Sequence, residues 1–193
     1  MRRRKSGLNF GRRKKKINMA VLREVCVWVT EIVIALLLAF TLVYFAGLRT
    51  SVVGQSMAET LKGGDEILVN RFLYKVTNPK PNDIIVFLPN GNEKSHYYVK
   101  RVVAVPGDTV LIQNGALYVN GALFEEEIEV ASMEDAGLAV EETTLGSDEF
   151  FVLGDNRNNS EDSRYANIGN IKKEHIIGKA WFRVAPWGDF GFL

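Results

Sequence analysis

The 193-residue chain sets 24 Lys and Arg against 23 Asp and Glu, a formal charge of +1, but residues 1–24 hold ten bases and one acid and leave the remainder at −8. This length admits one ordinary domain with an appendage and not two full domains. One cysteine and two histidines, with no metal-ligand spacing between them, exclude a disulfide framework and a zinc-type Cys/His cluster.

The basic tail over 1–24 would by itself suit a nucleic acid, but the apolar run after it argues against that partner. Residues 25–46, "VCVWVTEIVIALLLAFTLVYFA", contain Glu31 as their only strongly polar residue. Twenty-two helical residues span about 33 Å, close to the hydrocarbon thickness of a bilayer. No small-residue cleavage site of the A-x-A kind follows the run, so it reads as a retained transmembrane anchor over 25–47. Ten bases precede the span and Arg49 alone closely follows it, so the positive-inside rule predicts a cytoplasmic N-terminus and an extracytoplasmic domain over 48–193. Cys26 lies within the span, which leaves the outer domain to be held by its core without a disulfide.

Beyond residue 50 the chain is a series of short apolar or alternating runs bounded by Gly, Pro, Asn and Asp: 65–74, 82–89, 97–110, 111–124, 149–154 and 176–186. Asn114-Gly115 and Asn120-Gly121 are tight hairpin signals. With no convincing 3.6-residue period after the anchor, the fold class is mainly β, a β-sheet domain behind one N-terminal helix. Residues 125–149 hold ten acids and no Lys or Arg, which predicts a solvated acidic loop or insertion. They lack the alternating acid spacing of a calcium loop, and nothing in the chain calls for a metal or a cofactor.

Three stretches carry chemistry. "GQSMAETL" (54–61) offers Ser56 as a nucleophile, which needs a base within hydrogen-bonding reach. His96 and His175 have no acid partner at a motif-like position. In "YYVKRVV" (97–103), period-two alternation sets Tyr98, Lys100 and Val102 on one face and Val99, Arg101 and Val103 on the other, so one of the two bases is expected to point inward. A buried lysine can lose its proton where an arginine cannot, and Lys100 is therefore the candidate base; periodicity alone does not say which neighbour turns in. "GDNRNNSEDSR" (154–164) is either a polar surface turn or a loop folded on its own Asp/Arg pairs that presents Ser160.

Together "SMAETL", "YYVKRVVAVPGD" and "GDNRNNSEDSR", in that order behind a span, resemble the successive motif boxes of the bacterial type I signal peptidases, of the single-span Gram-positive kind. "NDIIVF" (82–87) is similar to a further box. The resemblance implies a membrane-bound serine endopeptidase that removes signal peptides from translocated precursors. It implies Ser56 as nucleophile, Lys100 as general base, and Ser160 as the residue that orients the lysine amine. It also implies that Asp155, Arg157, Asp162 and Arg164 hold the loop, and that a precursor adds as a strand between 53–55 and 97–99. Val53, Gly54, Gln55, Tyr97, Tyr98 and Val99 would then bind its backbone, with Met57, Leu61 and Ile85 joining Tyr98 and Val99 around shallow pockets for small side chains. Ser56 lies ten residues beyond the span, which would keep the site beside the bilayer. The hydroxyl that some family members place two residues before the nucleophile is Gly54 here, which resembles the single-span branch, and the family's usual proline is Glu59, expected to face solvent. Two other readings are a non-catalytic membrane-anchored β-domain and a self-cleaving repressor-like peptidase; the span counts against the second.

Overall fold

The structure, a computed structural model, describes residues 19–193; the basic tail lies, over 1–18, outside them. Helix α1 (Met19–Ala46) runs for 28 residues and begins six residues before the apolar run read from the sequence, because Met19, Ala20, Leu22, Arg23 and Glu24 are themselves good helix formers. Over Met19–Thr41 it is long and apolar enough to cross a membrane, with a mean hydropathy of 2.0 and no part of it buried within the protein. Its two threonines satisfy their hydroxyls within the helix: Thr30 Oγ1 donates to the Cys26 carbonyl at 2.8 Å and Thr41 Oγ1 to that of Leu37 at 2.7 Å.

The rest of the chain is mainly β, as expected. Twelve strands are described: β1 (Gly47–Ser51), β2 (Glu66–Asn70), β3 (Ile84–Phe87), β4 (Tyr98–Ala104), β5 (Thr109–Gln113), β6 (Ala116–Val119), β7 (Ala122–Leu123), β8 (Thr143–Thr144), β9 (Glu149–Leu153), β10 (Ile171–Lys172), β11 (Ile176–Ala185) and β12 (Gly191–Phe192). A larger sheet has the order β1-β2-β11-β3-β4-β9-β10, with β12 also paired to β11; a smaller one has the order β7-β6-β5-β8. The run 65–74 is a strand only to Asn70, whose side-chain oxygen accepts the Phe72 and Leu73 N–H groups and starts the one-turn helix α2 (Leu73–Val76). The run 97–110 breaks at Pro106-Gly107, where Gly107 takes φ +88° and the Asp108 N–H donates to the Val105 carbonyl. Both Asn-Gly pairs turn hairpins of the smaller sheet with positive φ at each residue, as the type I′ turn requires.

Three buried clusters hold these sheets. Val52, Met57, Leu61, Ile67 and Val69 pack with Ile84, Val86 and Val99 on one face of β3 and β4. Ile85, Phe87 and Val102 pack with Phe150, Val152 and Ile168 on the other. Val103, Val110, Ile112, Leu117, Phe151 and Leu153 join the two sheets. The alternation read in β4 therefore holds.

The acidic segment corrects one expectation. Its carboxylates mostly face solvent, but Met133, Ala139 and Leu145 are buried in the cluster between the sheets, and Thr143 and Thr144 pair with β5. Apolar residues scattered among ten acids dock the segment, so it is not a free solvated loop.

Strand β4 runs through the middle of the larger sheet with unequal neighbours. It pairs with β3 from Tyr98 to Arg101, but with β9 only from Arg101 onward, since β9 ends at Leu153. Residues 98–100 therefore keep one flank unpaired in the middle of the sheet.

Candidate active site

Ser56 sits on a turn fastened from below. Val52 exchanges hydrogen bonds with the far end of the loop, its N–H donating to the Asp65 carbonyl at 2.8 Å and its carbonyl accepting from Gly64 at 2.9 Å. Met57 and Leu61 are sunk in the core, and the Leu61 N–H closes a helical turn on the Met57 carbonyl at 2.5 Å. These apolar anchors tie down the residues after Ser56 and leave its side chain half-buried at the surface. Gly54 takes φ +86°, a left-handed bend that few other residues adopt cheaply.

Lys100 meets it from β4. The residue is 4 % exposed, and its Nζ lies 2.5 Å from Ser56 Oγ. Burial pushes the amine down to about 8; Asp162, then Glu161 and Asp155, pull it upward, while the Arg164 guanidinium opposes them. The Tyr98 ring lies on the same face, 5.8 Å from Nζ. A lysine in this setting is half-neutral near pH 8, where an exposed amine is still almost fully charged.

Sequence periodicity left open which of Lys100 and Arg101 turns inward. In the structure both are buried, on opposite faces, because the sheet is packed on both faces at β4. Arg101 grips Asp155 with two 2.8 Å hydrogen bonds from Nε and Nη2, and its Nη1 donates to the Asn82 carbonyl at 3.1 Å. Thr60 Oγ1 donates to the same carboxylate at 2.6 Å, which links the end of the nucleophile turn to β4 and to the loop after β9.

That loop, 154–164, folds on its own ion pairs. Arg164 holds both oxygens of Asp162, at 2.8 and 3.0 Å, and donates to the Arg157 carbonyl at 2.5 Å. Asp162 also accepts the Gly154 N–H at 3.1 Å, and Arg157 pairs with Glu126 of the acidic segment at 2.7 Å. All four charged residues named from the sequence are thus buried and paired. The loop is fastened to the nucleophile: the Asn156 N–H donates to the Ser56 carbonyl at 3.0 Å and Asn156 Nδ2 to that of Gln55 at 3.1 Å.

Ser160 is brought to the same place without the expected bond. Its hydroxyl and the Ser56 carbonyl both crowd one side of Gly154, where a Cβ would meet them at 2.2 and 2.5 Å. Among the described residues Ser160 Oγ has no hydrogen-bond partner, so the lysine-orienting bond is not formed in this structure; the amine is engaged by Ser56 and the hydroxyl packs on Gly154.

A cleft of about 310 Å³ opens over Ser56 and Lys100 and is lined by Val53, Gly54, Gln55, Tyr97, Tyr98 and Val99, six of the residues that the resemblance sets along the substrate. Met57, Leu61 and Ile85 do not. They are at most 1 % exposed and belong to the core beneath, because the turn and the sheet need their apolar surface for packing. His96, set aside as a base in the sequence, also lines the cleft, as do Asn159 and Glu161, which were missed; their only signal was adjacency to Ser160. Glu59 is exposed, as expected. A larger cavity of about 550 Å³ beside α2, lined by Arg71, Tyr74, Lys75 and Lys173, contains no such nucleophile–base pair. Among the described residues no His/Cys/Asp/Glu group is arranged to hold a metal ion.

The chain matches the family model "Signal peptidase, peptidase S26" over residues 25–187. It is 38 % identical over 158 residues to signal peptidase I P of Bacillus subtilis subsp. natto, covering 78 % of this chain and 84 % of that one. Over 169 residues it is 35 % identical to the probable signal peptidase I-1 of Synechocystis sp., covering 83 % and 84 %. A signal peptidase IB of Staphylococcus aureus is 32 % identical over 185 residues, covering 87 % and 93 %.

Proposed function

The chain belongs to the peptidase S26 family of signal peptidases, a family of hydrolases, and on that premise we propose that it cleaves signal peptides from precursor proteins with Ser56 as nucleophile and Lys100 as general base. The observation that carries the reading is the buried Lys100 amine 2.5 Å from Ser56 Oγ, with its basicity lowered to about 8. Neutral Lys100 takes the Ser56 proton as Oγ attacks the scissile carbonyl, and the lysinium then protonates the leaving amine. A water attacks the resulting acyl-enzyme, with Lys100 again the base, and frees Ser56. The Ser56 N–H has no acceptor among the described residues and is available to the oxyanion.

The substrate is an extended segment that adds to the unpaired flank of β4 at 97–99 and faces 53–55, with backbone hydrogen bonds for affinity. Buried Asp155, Arg157, Asp162 and Arg164 hold the 154–164 loop against the nucleophile, with Ser160 packed on Gly154 next to the Ser56 carbonyl. The α1 helix anchors the enzyme in the membrane with the basic tail cytoplasmic and the β-domain outside, the arrangement that its charge asymmetry favours. Signal-peptide-bearing precursors and the lipid bilayer are then its partners.

The test uses the full chain in detergent with a precursor bearing an A-x-A site. Wild type is expected to release a product whose N-terminus follows that site, and Ser56→Ala to release none; cleavage by Ser56→Ala overturns the assignment.

The pH dependence has a definite sign. Lys100 works only when neutral, so kcat/KM is expected to rise through a limb centred near 8 and to fall as protonation removes the base below it. A profile flat from pH 6 to 9 contradicts this, the window being set by that same midpoint.

Gly154→Ala is the third expected result. Its Cβ would lie 2.5 Å from the Ser56 carbonyl, which is backbone and must move. Displacing the nucleophile by a few tenths of an ångström to 1 Å is expected to lower kcat/KM by up to about 10²-fold. Unchanged kinetics in the precursor assay would show that the contact is relieved elsewhere.

A further inference from the structure

One acid in the 154–164 loop takes no part in its ion pairs. Asp155 is bound by Arg101 and Asp162 by Arg164. Glu161, between Ser160 and Asp162, is exposed, has no hydrogen bond or ion pair among the described residues, and lines the cleft beside Asn159.

Its position along the cleft follows from how the loop is tied. Asn156 is bonded to the carbonyls of Ser56 and Gln55, so this loop stands at the nucleophile end, whereas Val53 and Tyr97 line the walls that lead to it. A strand laid along those walls with its scissile carbonyl at Ser56 continues, past the bond to be cut, toward the loop that carries Glu161. The carboxylate also lies close enough for its field to reach the pair: after burial and Asp162, it acts most strongly on the Lys100 amine. The other charged groups facing that amine, Asp155, Asp162 and Arg164, are buried in pairs and cannot meet a substrate. His96, Tyr97 and Tyr98 are the further titratable groups on the cleft wall.

We propose that Glu161 is a specificity-determining residue that favours precursors with a lysine or arginine directly after the scissile bond. The inference deepens the serine–lysine reading above and rests on it. A solvent-exposed charge pair of this kind changes kcat/KM by roughly two- to five-fold and is screened by salt.

The experiment compares three precursors with the same A-x-A site and Lys, Gln or Glu as the first residue after it, cleaved by the full chain in a non-ionic detergent. At low ionic strength wild type is expected to prefer Lys over Glu by about four-fold. Glu161→Gln brings the ratio near one, Glu161→Lys inverts it, and Glu161→Asp keeps most of it. In wild type alone, about 0.5 M salt compresses the ratio toward one, a readout that needs no variant. A wild-type ratio of one, or a ratio that survives unchanged in Glu161→Gln or in high salt, overturns the proposal. Ser56→Ala separates the two levels: residual cleavage there defeats the dyad itself, while an inactive Ser56→Ala beside a charge-blind wild type defeats only the role of Glu161.

Discussion

Replacing Lys100 with methionine is expected to lower kcat/KM for precursor cleavage by about 10³-fold or more, within the range that general-base catalysis contributes, and to make the protein more stable. Methionine keeps an unbranched apolar stem of nearly the same length as lysine but cannot take a proton, so Ser56 Oγ loses its acceptor 2.5 Å away. The stability gain follows from linkage. The folded-state amine is depressed from 10.5 to about 8, so the fold disfavours the charged form. The cost is absent above the unfolded value, grows as pH falls through this interval, and is complete below about 8, where at ~1.4 kcal/mol per pH unit it is on the order of 3 kcal/mol. Thermal unfolding at pH 7 should therefore show Lys100→Met melting above wild type while its activity is lost. His96→Ala is expected to keep its activity, because His96 lines the cleft without bonding to Ser56. Full activity in Lys100→Met would remove the base from the account.

The second large effect is structural. Arg101→Ala is expected to destabilise the domain by about 3–5 kcal/mol, the cost of leaving one partner of a buried ion pair uncompensated. The Asp155 carboxylate would lose two 2.8 Å hydrogen bonds in a site where its side chain is 0 % exposed. In a chain of this length that lowers the melting temperature by about 10 °C. Because Thr60 holds the same carboxylate, the nucleophile turn loosens as well, and kcat should fall in the folded fraction. Arg101→Met with Asp155→Leu, which removes both charges, should recover much of the stability but not the activity. Urea unfolding of the single and double variants checks this; a single variant as stable as wild type would mean that the pair contributes nothing net.

How far the sequence could be read depended on the range of the interactions. Alternation in 97–103 assigned the two faces of β4 correctly, and the two Asn-Gly pairs marked their hairpins, because these signals are local. Strand β1 was missed: Gly47–Ser51 is half polar and is a strand only because β2 pairs along all of it. The burial of Arg101 beside Lys100 was equally illegible, since it depends on Asp155, 54 residues away. Met57, Leu61 and Ile85 were expected around the substrate because they are apolar residues within the stretches that carry the family resemblance. Packing claimed them first, and the cleft wall was left to Val53, Tyr97 and the loop residues Asn159 and Glu161. In the acidic segment, ten acids masked three apolar anchors that only the fold reveals.

The central claim, that Ser56 is activated by a neutral lysine, is tested most directly by titrating Lys100 itself. Side-chain NMR of the full chain in detergent, with the Lys100 signal assigned by its loss in Lys100→Met, is predicted to give a midpoint near 8 that coincides with the rising limb of kcat/KM. A midpoint at or above the ordinary 10.5 would leave the amine protonated at working pH and would contradict the account.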